Sequence, residues 1–286
     1  MPAVRTGPVI GLVVQVALLG ALAAAADTGP MGALAGAGYG LITCAALTLG
    51  LRRSGAPTLG PADKVTLTRA TLVGGVAALT VDSFHRHVPV PLLVGLASVA
   101  LLLDAVDGPV ARRSGTVSAL GARFDMEVDA FLILVLSVYA TRLIGAWTLV
   151  IGAMRYAFLA AGWALPWLRG SLPFRYWRKV VAATQGIVLV FASADLVPRP
   201  LSVAVVAAAL ALLAESFGRD VWWLWRHRTR TDDAPTAGAP TAGAGTAYAR
   251  TAAADINGPG INGPGINGPG IDGVGVDETE SLTGRR

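Results

Sequence analysis

Apolar runs recur along most of the chain, and their length narrows the possible folds more than any other feature. The first reads "GPVIGLVVQVALLGALAAAA" from Gly7 to Ala26. A helix rises about 1.5 Å per residue, so roughly 18–20 such residues cross the hydrocarbon core of a bilayer. Comparable segments are expected near residues 8–26, 31–51, 69–83, 89–111, 118–141, 143–167, 180–197 and 199–218. The chain therefore reads as an all-α, polytopic membrane helix bundle. Composition agrees: 53% of residues are hydrophobic and only 14% charged, against roughly 25% charged in soluble domains. A single cysteine, Cys44, excludes an internal disulfide and a thiolate metal cluster.

The net charge of +5 does not point to nucleic acid, because the basic residues sit between apolar runs. Arg5, Arg52, Arg53, Lys64, Arg112, Arg113, Arg169, Arg175, Arg178, Lys179, Arg226, Arg228 and Arg230 fall on one side of the expected topology. Only Arg86, Arg142 and Arg199 fall on the other. By the positive-inside rule the first side is cytoplasmic, in a multi-pass protein of the cell inner (plasma) membrane. The first run ends in "ALAAAADTG", which also fits a signal-cleavage site, but it is long for a signal peptide and is read as a retained helix. Residues 1–55 then hold two transmembrane helices, and 231–286 form a low-complexity tail, with "INGPG" three times, expected to be disordered.

Against this apolar background stands "DAVDGPVARRSGTVSALGARFDMEVD", residues 104–129. Asp104 and Asp107 lie near the end of one span, and Asp125 and Asp129 near the start of the next. Separations of three and four residues put each pair on one helix face. The short turn around "RRSGTV" makes the two helices antiparallel neighbours, so four carboxylates converge at the membrane surface. Such anions repel one another at low dielectric, and divalent cations relieve the repulsion. Carboxylate oxygens suit Mg²⁺ or Mn²⁺, especially where phosphate completes the coordination. Gly108, Ala111 and Gly121 let a ligand or helix approach the backbone, and Arg112, one turn after Gly108, can reach a phosphate. One acidic pair could serve helix packing; four interleaved with Gly, Ala and Arg do not read that way.

The pattern D-x-x-D-G-x-x-A-R, eight residues, then G-x-x-x-D-x-x-x-D resembles the motif of the CDP-alcohol phosphatidyltransferases at every fixed position. The resemblance extends over about residues 62–225, and implies a six-helix catalytic core following the two N-terminal helices. It implies that Asp104, Asp107, Asp125 and Asp129 ligate two metal ions, Mg²⁺ or Mn²⁺, with Asp129 also the general base. Gly108, Ala111, Arg112 and Ser118 would contact the CDP moiety. "DKVTLTR" resembles the family's N-x-x-T-x-x-R, adding Thr66 and Arg69 to those contacts, with Asp63 in place of Asn. "RKVVAATQG" resembles K-x-x-x-x-x-Q through Lys179 and Gln185. The implied reaction moves a phosphatidyl group from CDP-diacylglycerol to an alcohol and releases CMP. A homodimer is implied too, and no nucleic-acid partner.

Arg155 interrupts the apolar run "TLVIGAMRYAFLAAGW", a costly place for a charge unless it meets a polar cavity. It loosely resembles an Arg on the corresponding helix of family members that use phosphorylated acceptors; with Arg175, Arg178 and Lys179 of "RGSLPFRYWRK" this resemblance implies a phosphate-bearing acceptor, such as glycerol 3-phosphate or an inositol phosphate. Glu127 points off the Asp125–Asp129 face and is expected to pair with Arg123. His85 and His87 read as a solvated loop, and the tryptophans of "VWWLWRHR" as interfacial anchors. Two other functions compete: a phosphotransferase moving a CDP-linked alcohol onto a lipid, and a membrane cation transporter.

Overall fold

Helices account for nearly all of the described residues in the computed structural model, which describes residues 6–54, 61–114, 119–169 and 176–227. They are α1 (Thr6–Ala26), α2 (Pro30–Ser54), α3 (Pro61–Asp82), α4 (Val90–Ser114), α5 (Ala119–Leu143), α6 (Leu149–Ala164), α7 (Tyr176–Ser193) and α8 (Arg199–His227). Short 3-10 turns, Ala146–Thr148 and Pro166–Arg169, flank α6. Among the described residues there is no strand. The protein is a polytopic helical membrane bundle. The low-complexity tail lies outside the described residues.

α3 is the hub. It packs against α1, α2, α4 and α5, and 78% of its membrane-spanning window is buried, against 22% for α1 and for α2. Val73, Val76, Leu79, Leu93, Leu132 and Leu136 form the core around it. α1 and α2 instead turn Val9, Ile10, Val13, Leu34, Leu41 and Ile42 outward, as helices in contact with lipid can.

The two N-terminal helices are fastened to α3 by close backbone approach. A Cβ at Gly36 would lie 3.1 Å from the Gly74 carbonyl oxygen. One at Gly32 would lie 2.6 Å from the Ala78 carbonyl. Small residues one turn apart permit such contact, where dispersion must replace the hydrophobic effect. Asp82, the last residue of α3, is buried and accepts from the Gly29 and Gly32 amides, capping the start of α2. At the other end of α2, Leu47 and Leu51 pack with Leu67, Leu120 and Phe124.

Three boundaries differ from the sequence expectation. α3 begins at Pro61, eight residues before the predicted 69, because Pro suits the first helical turn and Asp63 the N-terminal dipole. Hydropathy misses that polar turn. The predicted 143–167 span is broken by Gly145 at φ 145°, after which α6 is only 16 residues long. α8 continues past 218 to His227, about 43 Å in all. Its last turns carry Trp222, with the Arg226 guanidinium 3.8 Å from the ring centroid, as interfacial aromatic residues often do.

Candidate active site

α4 and α5 both pack against α3. This puts Asp104 beside Asp125 and Asp129, and carboxylate oxygens from all three lie within 4.8 Å of one another. The one-turn spacing of Asp125 and Asp129 places both on the α5 face that meets α3.

Between the three carboxylates lies Arg69 of α3, whose side chain is 0% exposed. Its Nη1 donates to Asp104, and its Nη2 to the Asp125 carboxylate, to the Asp125 carbonyl at 3.2 Å and to Asp129 at 2.9 Å. Thr66, one turn earlier, is also buried. Asp63, another turn back, is buried as well, so the whole D-x-x-T-x-x-R face of α3 points inward. Arg69, which the resemblance implies contacts the nucleotide, is an internal cation tying α3, α4 and α5 together. A spacing motif could not reveal this, because the carboxylates lie 35 and 56 residues away.

The donor set fits a divalent cation. Three carboxylates on two helices supply hard oxygen ligands, they are 33–38% exposed, and one guanidinium leaves anionic charge over. Asp107, Gly108, Ala111 and Arg112 lie on the last turns of α4, but their surroundings, like Ser118 and Arg175, lie outside the described residues.

Glu127 faces the other way, toward α6. Its carboxylate accepts from Arg155 Nη2 at 2.8 Å, so the pair runs between helices as well as any contact Arg123 makes on α5. The Nε of Arg155 is buried without a hydrogen-bond partner. Arg178 of α7 reaches Asp220 of α8 at 3.8 Å, and Lys179 is exposed. Gln185, one turn and a half further on, is buried and donates to the Ala209 carbonyl at 2.8 Å, stapling α7 to α8.

A model of the CDP-alcohol phosphatidyltransferase family matches residues 60–215. The chain belongs to that family. Comparison with curated proteins and with solved structures gives no match. The matched stretch runs from the start of α3 to Glu215 in α8, so it contains Arg69 and all three clustered carboxylates. α1 and α2 precede it. As a CDP-alcohol phosphatidyltransferase the protein is a membrane transferase, moving a substituted phosphate from a CDP-alcohol to an acceptor alcohol.

Proposed function

We propose that the protein transfers a phosphatidyl group from CDP-diacylglycerol to a phosphate-bearing alcohol, such as glycerol 3-phosphate or an inositol phosphate, releasing CMP in phospholipid biosynthesis. The observation that carries the reading is the carboxylate cluster inside the family match: Asp104, Asp125 and Asp129 share one site at an end of the helix bundle. A water-soluble nucleotide and a lipid can both reach such a place.

In this reading Asp104, Asp107, Asp125 and Asp129 hold two divalent ions, Mg²⁺ or Mn²⁺. Bound there, they would offset charge on the pyrophosphate and on the departing CMP. Gly108, Ala111, Arg112, Ser118 and Thr66 would border the CDP moiety. Arg69 of α3 keeps the carboxylates of α4 and α5 assembled. Asp129 takes the proton of the acceptor hydroxyl as the new O–P bond forms and the bond to CMP breaks. Arg155, with Arg175, Arg178 and Lys179, would bind the acceptor phosphate. Arg155 already meets Glu127, so an anionic acceptor would share its guanidinium with that carboxylate. We place the site on the cytoplasmic face of the plasma membrane, in a homodimer.

CMP release by the purified protein tests this, with CDP-diacylglycerol against a panel of charged and neutral acceptors. A CDP-linked small alcohol acting as donor to a lipid would instead favour the phosphotransferase reading. Cation flux without nucleotide would favour a transporter.

A further inference from the structure

Arg142 closes α5 and Arg199 opens α8, at the end of the bundle opposite the carboxylates. Thirteen residues of α5 separate Asp129 from Arg142, about 20 Å along the axis. The two arginines line one cavity of about 230 Å³, together with Asp195 and Ser202. Ser202 is buried in its wall.

Neither guanidinium stands in an ion pair among the described residues. Arg199 Nη2 donates to the Ile144 carbonyl at 3.3 Å, which occupies one of its donors. The Arg142 guanidinium carbon lies over the Phe84 ring, 5.6 Å from the centroid, within cation–π range. Arg86, the third basic residue expected at this end, is by contrast paired with Asp27 at 3.5 Å. Two positive groups facing one acid, Asp195, leave the cavity cationic.

Large apolar side chains adjoin the cavity's lining residues: Leu196 follows Asp195, Leu201 precedes Ser202, and Phe84 lies under Arg142. Leu196 is 78% exposed, and Phe84 and Leu201 are about half exposed. A charged recess beside exposed apolar residues matches a molecule with a phosphate at one end and hydrocarbon at the other. The volume is below the roughly 300–1,000 Å³ of sites that enclose a drug-sized ligand, so it suits a headgroup and not a whole lipid.

We propose that this cavity binds the phosphate of an anionic phospholipid, at a site separate from the carboxylate cluster. Arg142 and Arg199 would donate to the phosphate oxygens, the Ser202 hydroxyl would complete the floor, and the acyl chains would lie along Leu196, Leu201 and Phe84.

Native mass spectrometry of the full-length protein tests this, with phosphatidylglycerol, phosphatidylcholine and inorganic phosphate as probes. Phosphatidylglycerol should be retained over phosphatidylcholine, and excess inorganic phosphate should not displace it. Arg142→Gln with Arg199→Gln should weaken retention about tenfold or more, as expected on losing two charge-assisted contacts. Arg199 also holds the end of α5, so Arg142→Gln alone is the second variant; it should lower retention while CMP release continues. Asp129→Asn should leave retention unchanged. Wild-type retention by Arg142→Gln would overturn the proposal, as would loss confined to Asp129→Asn. Displacement by inorganic phosphate would overturn the lipid assignment.

Discussion

Nη2 of Arg69 lies 2.9 Å from Oδ1 of Asp129, joining the centre of the bundle to the residue proposed as the base. The same guanidinium holds Asp104 and Asp125, so one buried cation sets the mutual geometry of side chains from α4 and α5.

Arg69→Ala should therefore loosen the whole cluster. Exposed ion pairs are worth roughly 1 kcal/mol or less, and breaking buried ones costs roughly 3–5 kcal/mol. With a buried guanidinium and carboxylates about a third exposed, a loss of about 2–3 kcal/mol is expected. Added Mg²⁺ or Mn²⁺ should restore part of it, because an ion that binds only the folded state stabilises it. Thermal denaturation in detergent, with and without metal, reads both effects. No destabilisation, or none relieved by metal, would contradict the clamp.

Asp104→Asn, Asp107→Asn, Asp125→Asn and Asp129→Asn should each remove most turnover. For Asp129→Asn, loss of a general base predicts a fall of about 10²–10⁴ in kcat. The first three should also shift the metal concentration needed for half-maximal rate. CMP release at saturating CDP-diacylglycerol measures this, and near-normal rates in any of the four would count heavily against the proposed site.

Glu127 and Arg155 should behave as a pair distinct from the carboxylate cluster. Glu127 is 54% exposed, so Glu127→Gln should cost no more than about 1 kcal/mol and keep the metal response. Arg155→Ala should raise the KM for an anionic acceptor far more than that for CDP-diacylglycerol. In Glu127→Gln the guanidinium no longer shares its donors, so that KM should fall or stay level. A double-mutant cycle on acceptor KM checks the coupling. An unchanged KM in Arg155→Ala would remove Arg155 from the acceptor site.

Asp82→Ala should unfasten the N-terminal helices without touching the chemistry. It removes the side chain that accepts from the Gly29 and Gly32 amides. Loss of an N-cap typically costs about 1 kcal/mol, with values to about 2. Proteolysis near residues 27–30 should quicken while the KM for both substrates stays the same. Equal protease resistance in wild type and variant would show that α2 does not depend on this cap.

Much of this protein was legible before any tertiary contact was known. Helix number and order follow from apolar length, since a membrane span must be a self-satisfied run of residues. Asp104, Asp125 and Asp129 were legible as candidates from their spacing in an apolar chain, while their meeting depends on α3, against which α4 and α5 both pack. Arg69 was legible as a motif residue, but its partners were not. They sit 35 and 56 positions away, and no periodicity encodes which long-range carboxylate a guanidinium meets. The same holds for Glu127: its neighbour on α5 was visible, and Arg155 on α6, 28 residues on, was not. Helix packing alone brought those charges together, as it brought Arg142 and Arg199 into one cavity from residues 57 apart in the chain. Local pattern determined the helices and their inward faces; the tertiary structure decided which buried charges neutralise one another, because a charge withdrawn from water must pair with whatever the fold places beside it.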